Sequence, residues 1–393
     1  MPQAAPLLLT LNAGSSSIKF CAFTPALERE LAGQIERIGS PRTRLLAHGP
    51  DGRSKTRAIE AADHAAAAGA LLDFLDARLG KSGVWGIAHR VVHGGLHLLD
   101  HQRITPDVME ELRRSEPYDL AHLPRQIALI EACGKRFPEL PQVACFDTAF
   151  FKDLPAAAQA IPLPGELIPG LRRLGFHGLS YTYLMSELER LAGAEAARGR
   201  VVLAHLGAGA SLAALRDGRP ADTTMGFTPL AGLVMGTRPG DIDPGLLVYL
   251  LRASKLSAEE LDDVLSTESG MYAISGGSAD MKDLLERRRK DRRAALAVEM
   301  FTYSARKFIA AMAAAVGGLD TLVFSGGIGE HAAEIRAEIC GPLEFLNVRL
   351  DVERNAAHAR VISTSESGVT VRVIATDEEL VLARIALKAL TIS

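Results

Sequence analysis

Three turns built from small residues each follow an apolar run and could bind phosphate. They are residues 12–17 ("NAGSSS"), 207–211 ("GAGAS") and 325–331 ("SGGIGEH"). Successive backbone N–H groups in such turns form anion-binding concavities, and serine hydroxyls add donors without much bulk. Three such turns in one chain favour a phosphate-rich ligand, and a nucleotide is the leading hypothesis.

Two arginines stand beside glycines that would let a ligand approach the backbone closely. Arg90 lies in "AHRVVHGG" and Arg238 in "GTRPGDIDPG". The planar guanidinium fork suits the paired oxygens of a carboxylate or a phosphoryl group. An ion pair with a purely structural role is the alternative for each of them.

Two acidic residues follow apolar β-like runs directly, at the strand ends where α/β sheets bind ligands and metal ions. These are Asp147 in "CFDTAF" and Glu378 in "ATDEEL". Asp222, Asp241 and Asp243 are further acidic candidates. Asp377 is expected to cap the N-terminus of the last helix.

The histidines suggest two different interpretations. His177, in "GFHGLSY", could reach into a cleft or could be a hydrogen-bonded core residue. Four others recur at every fourth position, which on a helix would form a metal-binding ridge. However, the "VVHGG" among them predicts a strand followed by a turn, so they should not share a face. These four are His89, His93, His97 and His101.

The elements that must position these residues are those of an α/β fold. Apolar runs such as "LLLTL", "VWGIAHRVV", "QVACFDT", "RVVLAHL", "TLVFSGG" and "VTVRVIAT" alternate with helical stretches, among them residues 61–78 and 294–316. A chain of 393 residues exceeds the size that one core serves well, so two domains are expected. Prolines and glycines in residues 152–170 suggest a boundary there.

An internal echo supports two related halves. Placing "LNAGSSS" (residues 11–17) over "LGAGASL" (residues 206–212) matches four positions across 195 residues. Each copy is an apolar strand, a small-residue turn and a second apolar run, which predicts a β-hairpin opening each of two related domains.

Composition limits the partners. The chain is 48% hydrophobic and 23% charged, and its net charge is −3. It therefore has no overall positive potential that would attract nucleic acid or an anionic membrane. The basic run "ERRRKDRR" (residues 286–293) is expected to be a solvated helix face. Four scattered cysteines without CxxC spacing argue against zinc and disulfides. With no apolar run approaching the roughly 20 residues of a membrane span, a soluble cytoplasmic protein is expected.

The motifs in order along the chain resemble those of the acetate kinase (acetokinase) family, in the sugar kinase and actin-like superfamily. The matching stretches include "NAGSSSIKF", "HRVVHGG", "FDTAF", "GFHGLSY", "HLGAGAS", "DTTMGFTPLAGLVMGTRPGDIDPG", "SGGSADMKD", "FSGGIGE" and "TDEEL". The resemblance implies an α/β fold of two duplicated ribonuclease-H-like (actin-like ATPase) domains with an interdomain cleft, and a homodimer. It implies reversible transfer of phosphoryl from ATP to acetate, giving acetyl phosphate and ADP, with Mg²⁺ or Mn²⁺.

The resemblance also implies a division of the chain and of its chemistry. Residues 1–150, completed by a C-terminal helix at 377–393, would form the N-terminal actin-like domain. Residues 151–376 would bind nucleotide and dimerise. The implied catalytic residues are Arg90 and Arg238 as clamps on carboxylate and phosphoryl, His177 as a donor to developing charge, and Asp147 as an orienting group.

The remaining implied site residues fall into three sets. The slot for the alkyl end of the acid would be lined by Val92, Phe176 and Pro229 beside Arg90, and the metal would be held by Asn12 and Glu378. The nucleotide would be bound by Lys19, His205, Gly207, Gly209, Asp280, Met281, Lys282, Gly326, Gly327, Ile328 and Gly329. A carboxylate with a pKa near ~4 to 5 is already ionised at neutral pH, so no general base is required.

Two departures from the family pattern bear on affinity and specificity. "HLGAG" stands where the family has HLGNG, so Ala208 replaces an asparagine expected to bind nucleotide phosphate, and weaker ATP binding is predicted. "HLPRQ" (residues 122–126) stands where the family has HNPPN, and Ala121 replaces the usual leucine before it. Less bulk beside the alkyl slot would admit propionate or a longer acid.

Three alternatives stay open. The chain could be a kinase of propionate or another short-chain acid, which shares most of these motifs. It could be an actin-like nucleotide-binding module without turnover, although such a module would need neither arginine. A dinucleotide oxidoreductase rests only on the GxGxxA match at Gly327, Gly329 and Ala332.

Overall fold

A computed structural model describes residues 6–14, 16–50, 52–80 and 83–391. The chain divides into two compact units, one formed by Met1–Lys152 with Asp377–Ser393 and the other by Asp153–Thr376.

The first unit is built on an eight-stranded mixed sheet in the order β5-β4-β3-β2-β1-β6-β8-β7, numbered along the chain. Strands β1 to β5 form an antiparallel meander, whereas β1, β6 and β8 run parallel. The strands are β1 Leu7–Ala13, β2 Ser17–Phe23, β3 Arg29–Glu36, β4 Arg44–His48, β5 Ser54–Ala58, β6 Val84–Val91, β7 Gln102–Arg103 and β8 Gln142–Phe146.

Three helices cover this sheet, α1 His64–Leu79, α2 Pro106–Ser115 and α3 Leu123–Arg136. The parallel strands β1, β6 and β8 are buried almost throughout, which explains why they read as continuous apolar runs. One face of α1, including Leu71 and Leu75, packs into the same core as Leu9 and Ile87. This core holds the carboxyl ends of the parallel strands in fixed positions.

The second unit repeats the central topology with five strands in the order β11-β10-β9-β12-β13. Here β9, β10 and β11 are antiparallel and β9, β12 and β13 are parallel, as β1, β2, β3, β6 and β8 are in the first unit. The strands are β9 Val201–Leu206, β10 Ala210–Arg216, β11 Arg219–Thr223, β12 Thr321–Ser325 and β13 Thr370–Val373. The predicted α/β fold with two duplicated ribonuclease-H-like domains is confirmed.

Ten helices belong to the described part of the second unit. They are α4 Ala156–Gln159, α5 Gly178–Arg198, α6 Pro244–Ala253, α7 Ala258–Asp263, α8 Gly270–Ser275, α9 Met281–Arg287, α10 Arg292–Ala315, α11 Gly326–His331, α12 Ala333–Cys340 and α13 Val352–Ala356. The basic run 286–293 lies across the break between α9 and α10 rather than inside one helix, because Asp291 caps the start of α10.

The last helix, α14 Glu378–Thr391, packs on β6, β1 and β8 and so belongs to the first unit. Asp377 accepts a hydrogen bond from the backbone N–H of Leu380, which is the capping role predicted for it. Nη2 of Arg29 also donates to both oxygens of the Asp377 carboxylate, each at 2.9 Å. Residues 392–393 of the predicted segment 377–393 lie outside the described residues.

Both halves of the internal echo form β-hairpins, β1–β2 and β9–β10. Their registers differ, however, because Leu11 pairs with Phe20 whereas Leu206 pairs directly with Ala210. After Leu11 the first hairpin has two more residue pairs before its turn, whereas the second hairpin turns directly after Leu206. The structural equivalence of the two sequence copies therefore ends at Leu11 and Leu206. The second hairpin also follows α4 and α5 instead of opening its unit.

Across the described residues, none of the helices has the length and apolar character required to cross a bilayer.

Candidate active site

Arg90 connects three polar side chains of the first unit that are far apart in the sequence: Asn12, Asp147 and Glu378. It stands near the carboxyl end of β6, and its Nε and Nη2 atoms donate to the two carboxylate oxygens of Asp147 at 3.1 and 2.6 Å. Its Nη1 atom donates to Oδ1 of Asn12 at 3.1 Å, and a carboxylate oxygen of Glu378 lies 3.8 Å from Nε. Asn12, Arg90 and Asp147 meet because the adjacent parallel strands β1, β6 and β8 end at the same edge of the sheet, and Glu378 reaches Arg90 from the start of α14.

The cluster is buried and charged. The Asp147 side chain is 2% exposed and the Arg90 side chain 18% exposed. Burial lowers the pKa of the Arg90 guanidinium, but the carboxylates of Asp147 and Glu378 outweigh it and raise that pKa overall. Arg90 is therefore a permanent, oriented cation whose fork is held from one side.

Glu378 begins α14 and has the character of a cation ligand. Its side chain is 15% exposed, yet within the described ranges its carboxylate accepts no hydrogen bond and only approaches Arg90 at 3.8 Å. Burial and the neighbouring Glu378 charge raise the pKa of Glu379, while Lys19 opposes that rise. Lys19 itself pairs with Asn12 across the β1–β2 ladder. Hard oxygen ligands from Asn12 and Glu378 fit a divalent ion that keeps several waters.

Val92, expected in the alkyl slot, is held through its backbone by a helix. Gln126 of α3 accepts a hydrogen bond from the Val92 N–H at 2.9 Å, and its amide group donates to the Ala13 carbonyl at 3.5 Å. Gln126 is 2% exposed and is the last residue of the divergent "HLPRQ" stretch. Ala121, half buried, precedes His122, whose ring binds Asp119.

His177 is fixed in the second unit by a short hydrogen-bonded chain. Its Nδ1 atom lies 2.8 Å from Oγ of Ser211, which lies 2.5 Å from the hydroxyl of Tyr181. The His177 ring stacks on His205 with centroids 4.4 Å apart, and Ser180 holds Nδ1 of His205 at 2.8 Å. With Nδ1 bound to Ser211, Nε2 of His177 is directed elsewhere.

Gly209 is the point where His177 and Arg238 meet. A Cβ atom at this position would lie 2.6 Å from Nη2 of Arg238 and 3.4 Å from Nε2 of His177. The Arg238 Nη1 atom donates to the carbonyl of Pro229 at 2.8 Å. Only glycine leaves space for the guanidinium beside the turn of the β9–β10 hairpin. Phe176, next to His177, is 2% exposed.

The two small-residue turns of the second unit lie side by side. A Cβ atom at Gly207 would have the backbone nitrogen of Gly327 and Nε2 of His205 as neighbours at 3.9 Å. Gly326 has φ +76°, and a Cβ there would meet the Leu206 carbonyl at 2.7 Å. The third sequence turn is in fact the short helix α11, in which Gly327 is exposed, Ile328 half buried and Gly329 buried.

The segment expected near the adenosine adjoins the same turn. The carbonyl of Ala208 accepts a hydrogen bond from Gly236, and a Cβ at Gly236 would lie 3.5 Å from that of Ala279. Asp280 follows and caps α9 by accepting from the Lys282 backbone at 2.8 Å. Met281 is buried, whereas Lys282 and the Ala208 side chain are exposed.

The other candidates have structural partners. His89, His93 and His101 are bound to Gln142, to the Gly95 backbone and to the Phe146 backbone, respectively, and His97 is exposed. The strand-then-turn prediction for them is correct. Among the described residues, no three His, Cys, Asp or Glu side chains come together in a group that could hold a metal ion. Asp241 accepts from the Gly232 backbone and Asp243 caps α6.

Sequence reasoning missed the side chains that support the site. Ser211 and Tyr181 orient His177, Gln126 holds Val92, and the Glu330 carboxylate accepts from the Gly326 N–H at 2.9 Å. Ser211, Tyr181 and Glu330 were inside recognised motifs, so their polar character was a signal. Asn12, Arg90 and Asp147 lie at or next to strand ends. Contrary to what the sequence suggested, Glu378 does not follow a strand directly, because β13 ends at Val373 and Glu378 begins α14.

Comparison with known proteins agrees with this arrangement. Residues 7–384 match the sequence profile of the Acetokinase family. An acetate kinase of Rhodopseudomonas palustris is 43% identical over 387 residues, covering 96% of this chain and 97% of that protein.

Solved structures give the same result. A propionate kinase from Francisella tularensis subsp. tularensis SCHU S4 superposes with a TM-score of 0.90 at 34% identity, covering 98% of this chain and 99% of that one. Porphyromonas gingivalis acetate kinase gives 0.85, also at 34% identity, over 98% and 100% of the two chains. The chain therefore belongs to the acetokinase family.

Proposed function

We propose that this protein is an acetate kinase that transfers the γ-phosphoryl group of ATP reversibly to acetate, by direct in-line displacement. The products are acetyl phosphate and ADP, and a divalent metal ion takes part. The acid oxygen forms the new P–O bond as the bond to the ADP oxygen breaks, so no proton has to move. The residues need only position the reactants and neutralise charge.

The observation that carries this proposal is the free half of the Arg90 fork. A guanidinium has five N–H donors, and Asp147 and Asn12 take three of them. Within the described residues, one N–H on Nη1 and one on Nη2 remain without an acceptor. This pair of donors suits the two oxygens of a carboxylate, so Arg90 binds the acid and Asp147 orients Arg90.

The phosphoryl group is assigned to Arg238 and His177. Their nitrogens converge on the space beside Gly209, and the contact between Nδ1 of His177 and Ser211 fixes the orientation of the imidazole ring there. Charge spreads over the equatorial oxygens of a loose phosphoryl transition state, where a guanidinium and a further hydrogen-bond donor are effective. Val92, Phe176 and Pro229 are proposed to contact the alkyl end of the acid.

The nucleotide is assigned to the turns and the α9 segment of the second unit. We propose that Gly207, Gly209 and Gly326 to Gly329 surround the phosphates, with His205 and Lys19 as donors. Asp280, Met281 and Lys282 are proposed to lie beside the adenosine. Support comes from the proximity of the Gly207 and Gly327 backbones and of Ala208, Gly236 and Ala279.

The metal ion is proposed to be Mg²⁺, held by Asn12 and Glu378 directly or through water, with Mn²⁺ as a substitute. When bound, it neutralises charge on the nucleotide phosphates. Glu378 supports this assignment because its carboxylate is largely buried and without a hydrogen-bond donor among the described residues. Dialysis against EDTA should abolish turnover, and comparison of Mg²⁺ with Mn²⁺ at equal concentration identifies the better ion.

The acid itself has one competing identity, propionate. Ala121 is smaller than the usual leucine and precedes the "HLPRQ" stretch, whose Gln126 holds the Val92 backbone. The solved structure with a TM-score of 0.90 is that of a propionate kinase. A nucleotide-binding module without turnover is the alternative from another class.

A homodimer is proposed through α6. This helix contains no buried residue, and its apolar side chains are exposed in the single chain: Leu246 by 44%, Val248 by 46%, Tyr249 by 64% and Leu251 by 41%. Several large apolar side chains exposed on one short helix are typical of a protein interface. The four cysteines are free and buried, which fits the reducing cytoplasm proposed as its compartment.

The decisive experiment traps the acyl phosphate as its hydroxamate, with MgATP and acetate, propionate, butyrate or formate at matched concentrations. The highest kcat/KM for acetate would support the main assignment. A higher kcat/KM for propionate or butyrate would instead make the protein a kinase of that acid. No product with any acid, together with measurable ADP binding, would favour the silent module.

A further inference from the structure

Arg336 is the largest completely buried side chain in the described part of the chain. It lies on α12, and all its nitrogens are hydrogen-bonded. Nε donates to Oδ1 of Asn355 at 2.8 Å, and Nη1 donates to the carbonyls of Gly329 and Glu330 at 2.8 and 2.9 Å. Nη2 donates to the Asn355 carbonyl at 2.8 Å and lies 3.1 Å from Nδ1 of His358.

No carboxylate of the described residues forms an ion pair with this guanidinium, since its partners are the Asn355 amide oxygen, three backbone carbonyls and a ring nitrogen of His358. Burial lowers the pKa of Arg336, with only a weak opposing effect from Cys340, yet an arginine keeps its proton in proteins. A buried cation without an acid is rare. Apolar residues can often replace buried ions with no loss of stability. The stability of the fold alone therefore does not explain why an arginine stands at position 336.

The contacts show what the side chain does locally. Gly329 and Glu330 belong to the last part of α11, the segment that begins at Gly326 directly after β12. At the front of that segment the Glu330 carboxylate accepts from the Gly326 N–H at 2.9 Å. At the back, Nη1 of Arg336 binds two successive carbonyls. Both ends of the segment are thus tied down, while a Cβ at the exposed Gly327 would meet open space.

Asn355 makes this brace rigid. Its side-chain carbonyl and its backbone carbonyl bind two different nitrogens of Arg336, and its amide group donates to the Ala333 carbonyl at 2.8 Å. A residue on α13 therefore fixes the orientation of the guanidinium, and the guanidinium fixes the carbonyls of α11.

We propose that Arg336 is a positioning residue for the nucleotide, which braces α11 from behind so that the backbone at Gly326 to Gly329 is pre-formed for phosphate binding. The proposal rests on the proposed function, because that function assigns this segment to the nucleotide phosphates. The uncompensated charge behind the segment adds attraction for a polyanion in a medium of low dielectric constant. Arg336 itself does not touch the reacting atoms.

The test measures ADP binding by calorimetry together with steady-state kinetics for Arg336→Met, Arg336→Lys and wild type. Arg336→Met fills the volume without donors, so we expect the Kd for ADP and the KM for ATP to rise tenfold or more while the KM for the acid stays within twofold. Arg336→Lys keeps the charge but not the planar fork, so its Kd should fall between the two.

The control is Leu343→Ala, which removes buried volume from the segment packed against α12 and should lower Tm without changing the Kd for ADP. An unchanged Kd in Arg336→Met overturns the proposal, as does an equal rise in Leu343→Ala. If Arg336→Met does not fold, wild-type ADP affinity in Arg336→Lys overturns it. Because ADP binding is measured directly, failure of wild type to phosphorylate any acid would count only against the proposed function.

Discussion

Arg90 and Asp147 form a two-pronged ion pair between neighbouring parallel strands, with N···O distances of 3.1 and 2.6 Å. Arg90 is opposite Cys145 in the β6–β8 register, and Asp147 follows β8 directly. The pair uses one side of the guanidinium fork and leaves the other side for a ligand. The orientation of Arg90 therefore depends on Asp147.

Replacing Asp147 with asparagine should lower kcat by about 100-fold or more, because misplacing a charge-stabilising group has effects of that size. The measurement is kcat and KM for the acid with MgATP saturating. Asp76→Asn is a matched control, since Asp76 pairs with Arg136 at 2.8 Å on the surface. Near-wild-type activity in Asp147→Asn would show that Arg90 does not need this partner.

Ala208→Asn should lower the KM for ATP by roughly 2- to 12-fold, the range that corresponds to one hydrogen bond of ~0.5 to 1.5 kcal/mol. The Ala208 side chain is exposed and its carbonyl is already held by Gly236, so the longer side chain has space. Ala194→Asn, at another exposed alanine, is the control. An unchanged KM for ATP would mean that the missing asparagine does not matter here.

Ala121→Leu should shift acid preference towards acetate. Restoring bulk just before the stretch whose Gln126 holds the Val92 backbone is expected to reduce kcat/KM for propionate about tenfold relative to acetate, the usual effect of one methylene in an apolar slot. The ratio of kcat/KM values for the two acids is the readout. A variant with the wild-type ratio would place Ala121 outside the specificity region.

Lower pH should destabilise the first unit through its buried histidines. Burial lowers the pKa of His89, His93 and His101 to about 4 each. In the unfolded chain they titrate near ~6.5, so between these values the unfolded state binds more protons. The free energy of unfolding therefore falls as pH decreases from ~6.5 to ~4, by up to about 1.4 kcal/mol per pH unit for each histidine.

Urea titrations at several pH values check this pH dependence. His89→Gln should reduce the slope of the unfolding free energy against pH, whereas His97→Gln, at an exposed position, should not. Equal slopes in wild type and His89→Gln would contradict the burial argument.

Tyr249→Asp should dissociate the proposed dimer, because Tyr249 is the most exposed of the large apolar residues on α6 and a carboxylate there cannot be buried without a partner. Light scattering after size exclusion should then give the mass of one 41.9 kDa chain instead of two. Val352→Asp is the control, since Val352 is 82% exposed on α13. A variant mass equal to that of the wild type would exclude α6 as the essential contact.

The strands that could be predicted from sequence are those buried on both faces. The runs "LLLTL", "VWGIAHRVV" and "RVVLAHL" correspond to β1, β6 and β9, since burial demands a continuous apolar run. β5 could not be found in this way because all its residues are exposed. The register difference between the two hairpins was also invisible, because it depends on turn length rather than on the matched letters.

The candidate site also has residues that could be predicted from the sequence and residues that could not. Residues in small-residue motifs, such as Arg90 and His177, were recognisable by type and setting. Their supports were not, because Ser211 contacts His177 across 34 residues and Asn355 contacts Arg336 across 19. Only tertiary structure decides which of several polar side chains fills that role.

The place of α14 in the first unit has a consequence for synthesis. A ribosome makes β1 to β8 first, then the entire second unit, and only then Glu378 and the helix that covers β6 and β1. At ~5 to 20 residues per second, the nascent first unit waits on the order of tens of seconds for its last helix. Any truncation before Asp377 leaves an apolar sheet face uncovered and also removes Glu378, the proposed metal ligand. We therefore expect incomplete chains to be inactive.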